Sequence, residues 1–168
     1  MIVAGVIIVI FLACFGLITF IGAPYVPTHK RQIVKAFNEL YPLTKDDLVV
    51  DLGSGDGVML RVAAARGARA LGYELNPILW FISRALSSRY GGRVQVRCRN
   101  MWTASIPADT TLVYMFIDSR FTKRVARKLQ AHVKRTGKPI RYMSYGFTLP
   151  GATLDGEVGG MLLYTIKP

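Results

Sequence analysis

Read as a string of apolar and polar positions, the chain has two regimes. From Ile2 to Ile21 no residue is charged, and the first Asp, Glu, Lys or Arg is Lys30. A run of that length, at about 1.5 Å per helical residue, crosses a hydrocarbon layer of about 30 Å, and a helix satisfies its backbone there. The pattern predicts a retained transmembrane anchor over residues 1–23. A cleaved signal peptide is the rival reading, and it needs a basic stretch followed by a shorter apolar core. Ala23-Pro24-Tyr25-Val26-Pro27 is then a stiff linker, because two prolines lack the backbone donor and restrict their neighbours. Thr28 is expected to cap a helix running to about Tyr41, before Pro42. Ile33, Phe37, Leu40 and Tyr41 fall on one face of it; Arg31, Lys35 and Asn38 share another. Residues 24–42 therefore read as an interfacial linker and juxtamembrane helix, packed on the domain and touching anionic lipid with its basic side.

Beyond Pro42 the period switches repeatedly between strand and helix. Leu48–Leu52 is a short apolar run suited to a buried parallel strand. Val58–Arg66 reads as a helix ended by Gly67, and Arg69–Tyr73 as the second strand. Asn76 caps and Pro77 starts a helix to about Tyr90, with an apolar stripe of Ile78, Leu79, Ile82, Ala85 and Leu86. Gly91-Gly92 turns the chain into a strand over Arg93–Cys98. A strand over Thr111–Ile117, a helix over Phe121–Val133 stopped by Gly137, and strands over Ile140–Tyr145 and Met161–Ile166 complete the set. Such alternation predicts an α/β domain over residues 43–168: a doubly wound, mainly parallel, Rossmann-like sheet with helices on both faces. Phe147–Gly151 leaves little room for a final helix, so a reduced C-terminal part is expected.

Charge sharpens this picture. The 168 residues carry a formal net charge of +12, all of it after residue 29. Lys30, Arg31 and Lys35 follow the apolar run and nothing basic precedes it, which orients the amino terminus outside and the domain in the cytoplasm. The expected localisation is thus a single-pass membrane protein. Cys14 and Cys98 lie in different surroundings and make no disulfide framework. Together with His29 and His132 they give no metal-ligand spacing, so no metal is expected. The basic residues are scattered and no aromatic stripe accompanies them, which argues against nucleic acid as a partner.

Candidate chemistry lies in Val49-Val50-Asp51-Leu52-Gly53-Ser54-Gly55-Asp56-Gly57. A strand ends in an acid, and glycines at alternate positions turn it into a helix. Glycine suits a backbone that a ligand must touch, and free amides at the helix start would favour an anion or a carboxylate. Glu74, at the end of the next strand, is placed to accept both hydrogen bonds of a ribose diol. Two cofactor classes share this plan. A dinucleotide needs a third glycine where Val58 stands, and carboxylates at Asp51 and Asp56 would repel its pyrophosphate. A cationic amino-acid cofactor tolerates both acids, which favours S-adenosyl-L-methionine.

These residues resemble a known family. Asp51-Leu-Gly-Ser-Gly-Asp-Gly57 followed by Gly72-Tyr-Glu-Leu-Asn-Pro77 is similar to the seven-strand class I S-adenosylmethionine-dependent methyltransferases. Gly22-Ala-Pro-Tyr-Val-Pro-Thr28 after one apolar segment resembles, more narrowly, their small membrane-anchored group. That group includes the mitochondrial lysine methyltransferases of the ATP synthase c subunit and of the adenine nucleotide translocase. The resemblance implies that Asp51, Gly53, Gly55 and Asp56 line the methionine end, that Glu74 holds the ribose, and that Asn76 lies just beyond. It puts Asn100 where such enzymes often carry an acid near the adenine amine. Asp118, just after the fourth strand, falls where substrate-facing residues lie, although it equally suits the cap of the Phe121 helix. Asp118 and Tyr145 are the candidates for taking a proton from a substrate lysine.

The function this implies is methyl transfer to a lysine of a membrane-associated protein, with membrane lipid as a second partner. A lysine near its usual pKa of about 10.4 must first become neutral, and anchoring raises the effective concentration of membrane substrates. A small-molecule, lipid or nucleic-acid methyltransferase, or a non-catalytic cofactor-binding scaffold, remains as an alternative.

Overall fold

A computed structural model describes Gly5, residues 30–116 and residues 118–168. The expected anchor and proline linker lie, apart from Gly5, outside the described residues. Among the described residues no helix is long and apolar enough to cross a membrane.

The domain is one seven-stranded sheet in the order β3-β2-β1-β4-β5-β7-β6. Its strands are β1 (Leu48–Leu52), β2 (Arg69–Glu74), β3 (Val94–Cys98), β4 (Leu112–Met115), β5 (Ile140–Tyr145), β6 (Leu154–Val158) and β7 (Met161–Ile166). Neighbours from β3 to β5 pair in parallel, whereas β7 runs antiparallel to both β5 and β6. The helices are α1 (Lys30–Glu39), α2 (Val58–Ala64), α3 (Pro77–Ser87) and α4 (Thr122–Thr136). The parallel, doubly wound sheet is as expected. Every residue of β1 and β4 is buried, as apolar runs covered on both faces require.

Two cores sandwich the sheet. Ile33, Ala36 and Phe37 of α1 and Met59, Leu60, Val62 and Ala63 of α2 pack with Val49, Tyr114, Met143, Met161 and Leu163 on one face. Val125, Leu129 and Val133 of α4 pack with Val50, Val113, Tyr142 and Tyr164 on the other. The apolar side of α1 is the one its spacing predicts, with Arg31, Lys35 and Asn38 directed away from the core. Burying Ile33 and Phe37 stabilises this docking by about 1.5–3 kcal/mol each.

Three expectations need correction. The C-terminal part is not reduced in strands: Leu154–Val158 forms edge strand β6. A two-glycine turn at Gly159 and Gly160, both with positive φ, returns it to β7. The connection from β5 to β6 carries no helix, and neither do those from β3 to β4 and from β6 to β7. The two helices that follow the first two strands end early, at Ala64 and Ser87. The stripe on α3 is also inverted. Its buried residues are Ser83 and Ser87, while Ile82, Ala85 and Leu86 are exposed. The reason is close packing: a Cβ on Gly57 would stand 2.1 Å from Ser83 Oγ, so only a small residue fits where α3 crosses the loop before α2.

Candidate active site

The chain reverses its winding at β1, which lies between β2 and β4, and the carboxyl ends of these strands open one crevice. Asp51, Glu74, Asn100, Asp118 and Tyr145 all stand at that edge, within or just after β1, β2, β3, β4 and β5 respectively.

The turn after β1 is held by the chain itself. Gly53, Gly55 and Gly57 have φ of 98°, 53° and 80°, values that disfavour any side chain. The amides of Gly53 and Ser54 donate to the Tyr73 carbonyl at 2.9 and 3.0 Å, and Gly57 donates to Ser54 at 2.8 Å. Gly55 donates to Glu74 Oε2 at 2.8 Å. These turn amides are satisfied internally and are not free donors for an anion.

Glu74 is buried and serves the fold as well as any ligand. Besides the Gly55 amide it accepts the Asn76 amide on Oε1 at 2.7 Å. An ionised carboxylate has about four acceptor positions, so capacity for two further donors remains. Asp51 is different. It is 3% exposed, and no hydrogen bond reaches its carboxylate among the described residues. Burial, reinforced by the nearby Glu74 and Asp56 carboxylates, raises its pKa well above the usual carboxylate range. A buried acid of that kind favours a cation beside it.

Two candidates are also engaged by the chain itself. Asp56 accepts the Val58 amide at 3.2 Å and pairs with Arg61 Nη2 at 3.1 Å, while Arg61 Nη1 donates to the Asp56 carbonyl. It braces the start of α2. The Asn76 side chain, 2% exposed, accepts from the Ile78 and Leu79 amides at 2.9 and 3.3 Å and caps α3. Its Oδ1 has a structural role. Asn100 likewise accepts the Trp102 amide at 2.9 Å and shapes the loop after β3.

That loop brings in Met101. The Met101 sulfur would stand 3.7 Å from a Cβ on Gly53, so Met101 walls the glycine turn. The loop is fixed from α4: Lys128 donates to the Trp102 and Ala104 carbonyls, and the Arg124 guanidinium lies 4.2 Å from the Trp102 ring centre. Burial, with Arg124 nearby, lowers the Lys128 pKa. A composition cue exists in the adjacent Met101-Trp102, but nothing in it indicates Gly53 as neighbour.

Of the two proton-transfer candidates, Asp118 accepts the Arg120 amide and pairs with Arg120 Nε, both at 2.9 Å. These bonds hold its carboxyl below the usual range. It caps the short 3₁₀ turn Ser119–Phe121 before α4, the capping role its position also suited. The Tyr145 ring packs edge-on against Phe116 with centres 5.1 Å apart, at the same sheet edge.

The model of the ANTKMT methyltransferase domain matches residues 51–155, from the acid near the end of β1 to the second residue of β6. The chain belongs to this family. The family expectation drawn from the glycine turn and the Pro-Tyr-Val-Pro stretch is thereby met, and every candidate site residue lies inside the matched region. The ANTKMT-type domain is similar to the Xenopus laevis lysine N-methyltransferase that is named for the ATP synthase c subunit. The two are 33% identical over 119 residues, 70% of this chain and 51% of that protein. It is also similar to a protein-lysine N-methyltransferase of Saccharolobus islandicus, 29% identical over 132 residues, 76% of this chain and 79% of that one. The chain spans about half the length of the Xenopus relative it matches. Among solved structures it resembles an RNA methyltransferase from Salinibacter ruber in complex with S-adenosyl-L-homocysteine. The TM-score is 0.68 at 27% identity, covering 83% of this chain and 92% of that one. The seven-strand class I architecture is therefore shared.

The residues present fit such a cofactor. Asp51 offers a buried carboxylate without a hydrogen-bond partner among the described residues, Gly53 leaves open the space a Cβ would fill, and Glu74 keeps acceptor capacity one strand away. Among the described residues no cluster of His, Cys, Asp or Glu is suited to a metal.

Proposed function

We propose that this chain is an S-adenosylmethionine-dependent protein-lysine N-methyltransferase acting on a membrane-associated protein. Residues 1–23 would anchor it, with the amino terminus outside and the domain cytoplasmic. The observation that carries the reading is the unpartnered Asp51 carboxylate beside the glycine turn, with Glu74 at the end of the adjacent strand. The names of two relatives, both lysine methyltransferases, support the substrate class.

When bound, the cofactor supplies an electrophilic methyl group on a sulfonium. Asp51 would pair with its ammonium and Glu74 with its ribose hydroxyls, while Met101 and the Asn100 turn would wall the base. The chain aligns donor and acceptor, and proximity then provides most of the rate. A lysine amine attacks only when neutral. Asp118 is a poor base for it, because Arg120 holds that carboxylate in its ionised, weakly basic form. Tyr145, packed on Phe116 at the crevice rim, is the remaining candidate for relaying the proton, its hydroxyl releasing one to water as it takes one up.

The deciding experiment incubates the full chain with tritiated S-adenosylmethionine and native membranes. Label in protein, recovered as methyl-lysine, is the expected result; label only in lipid or RNA overturns the substrate class. Reporters fused after Pro168 test topology: one active only in the cytoplasm should work, and activity of one that works only outside the cell sinks the orientation. A second reading, RNA methylation, draws on the net charge of +12 and on the Salinibacter ruber neighbour. It requires RNA binding that weakens steeply with salt.

A further inference from the structure

The inverted helix α3 is the feature the site does not use. Phe81 is 66% exposed, Leu86 49%, Ile82 39% and Leu75, just before the helix, 37%. The described residues contain only one other large exposed hydrophobic, Leu154. Apolar side chains gathered on one helix face mark a contact surface. Their charged neighbours have one sign. Arg84, Arg89 and Arg93 are exposed, and none makes an ion pair among the described residues. From Leu75 to Ala108 the sequence has no Asp or Glu at all.

The occupant must therefore accept apolar side chains and supply negative charge. The uncharged residues 1–29 cannot do the second, since they contain no acid. A second copy joined symmetrically through α3 would set the same arginines against each other. An anionic bilayer surface does both: apolar side chains enter the headgroup boundary while guanidinium groups meet phosphates. Where the chain enters the domain agrees. Lys30, the first residue of α1, lines one cleft with Arg89 and Tyr90, which follow α3. Lys30, where the described domain begins, and the arginine-flanked face thus lie on one side of the molecule.

We infer that the outer face of α3, with Phe81, Ile82 and Leu86 flanked by Arg84, Arg89 and Arg93, lies on an anionic lipid surface and fixes how the domain sits on the membrane. This rests on the membrane location proposed above, which co-flotation of the full chain with vesicles tests separately. The experiment places a spin label at Phe81→Cys or, as a control, at Lys134→Cys on α4, in the full chain carrying Cys14→Ala and Cys98→Ser. Each is reconstituted in phosphatidylcholine vesicles with and without phosphatidylserine. In the mixed vesicles, position 81 should be accessible to oxygen and protected severalfold from an aqueous nickel chelate relative to position 134. The combined change Arg84→Glu, Arg89→Glu and Arg93→Glu should abolish that protection while the chain still floats. Equal aqueous access at positions 81 and 134, protection undiminished in pure phosphatidylcholine, or protection that grows with protein density would each overturn the inference. The last of these would point to a second copy.

Discussion

The carboxyl ends of β1 and β2 lie side by side, each with a buried acid, yet the two acids are held in opposite ways. Glu74 is tied by the Gly55 and Asn76 amides and keeps the glycine turn in shape before any ligand arrives. Asp51 is left without a hydrogen-bond partner among the described residues, in a site that penalises its charge. One end is finished by the fold; the other is finished only by a cation. The difference separates a residue that builds the crevice from one that the bound molecule must complete, although both would be marked alike as acids at strand ends.

Replacing Asp51 should break this contrast most sharply. Leaving a buried cation unpaired costs about 2–5 kcal/mol, so Asp51→Asn should weaken S-adenosylmethionine binding about thirty- to several-thousandfold. The ligand-free domain should meanwhile become more stable at neutral pH. The unfolded Asp releases its proton near pH ~3.9, whereas the folded one keeps it to well above that. Between those values the folded state binds the extra proton, so stability is full below about pH 3.9 and falls as pH rises. Asn removes that fall. Calorimetric titration and thermal melts would show both effects, and a lower melting temperature with unchanged affinity would place Asp51 in the scaffold.

Glu74→Ala should move both quantities downward together. Each bond to its charged oxygens contributes roughly 1.5–3 kcal/mol. We expect a ten- to hundredfold loss of S-adenosylhomocysteine affinity, at about 1.4 kcal/mol per factor of ten, and a lower melting temperature. Glu74→Gln retains one acceptor and should lose less of each. Intact stability in Glu74→Ala would mean the turn stands without it.

The pH dependence of binding sharpens the contrast further. Pairing with an ammonium requires an ionised Asp51, so S-adenosylmethionine affinity should rise with pH until that acid has titrated, then level off. In Asp51→Asn the rise should vanish, whereas Glu74→Gln should retain it. Calorimetry over a pH series distinguishes the three proteins.

The smallest effect is expected at Asn76. Loss of its cap should cost about 0.5–2 kcal/mol of stability. Asn76→Ala should change cofactor affinity little, because Oδ1 is bonded to the α3 amides. A large affinity loss in a normally melting protein would return Asn76 to the binding site.

What the sequence made legible follows from what each signal encodes. Apolar runs and glycines mark buried parallel strands and sharp turns directly, so β1 through β5 and the crevice edge could be placed from them. Strand β6 escaped because Leu-Asp-Gly-Glu-Val is short and its Leu/Gly/Val face carries a glycine and two acids flank it, residues depleted in strands; its signal was the paired Gly159-Gly160 before a good strand. The α3 stripe was visible as a period, but a period does not say which side is inside. Ser83 takes the inner side because Gly57 lets the helix approach closely. Asp56 and Asp51 look equivalent in the motif, yet Arg61 pairs with only one of them. Partners supplied by a neighbouring turn of helix are invisible to a motif.

The docking of α1 carries a consequence for synthesis. Ile33 and Phe37 bury themselves against Met161 and Leu163, and Gln32 lies where a Cβ on Gly159 would fall. The first helix of the domain therefore has no complete seat until its last strand has left the ribosome. At about 5–20 residues per second that delay is on the order of ten seconds. Throughout it the part of α1 that Met161 and Leu163 will cover stays open, next to a preceding segment that is itself apolar. A chaperone or a nearby lipid surface would meet this helix before its own sheet does.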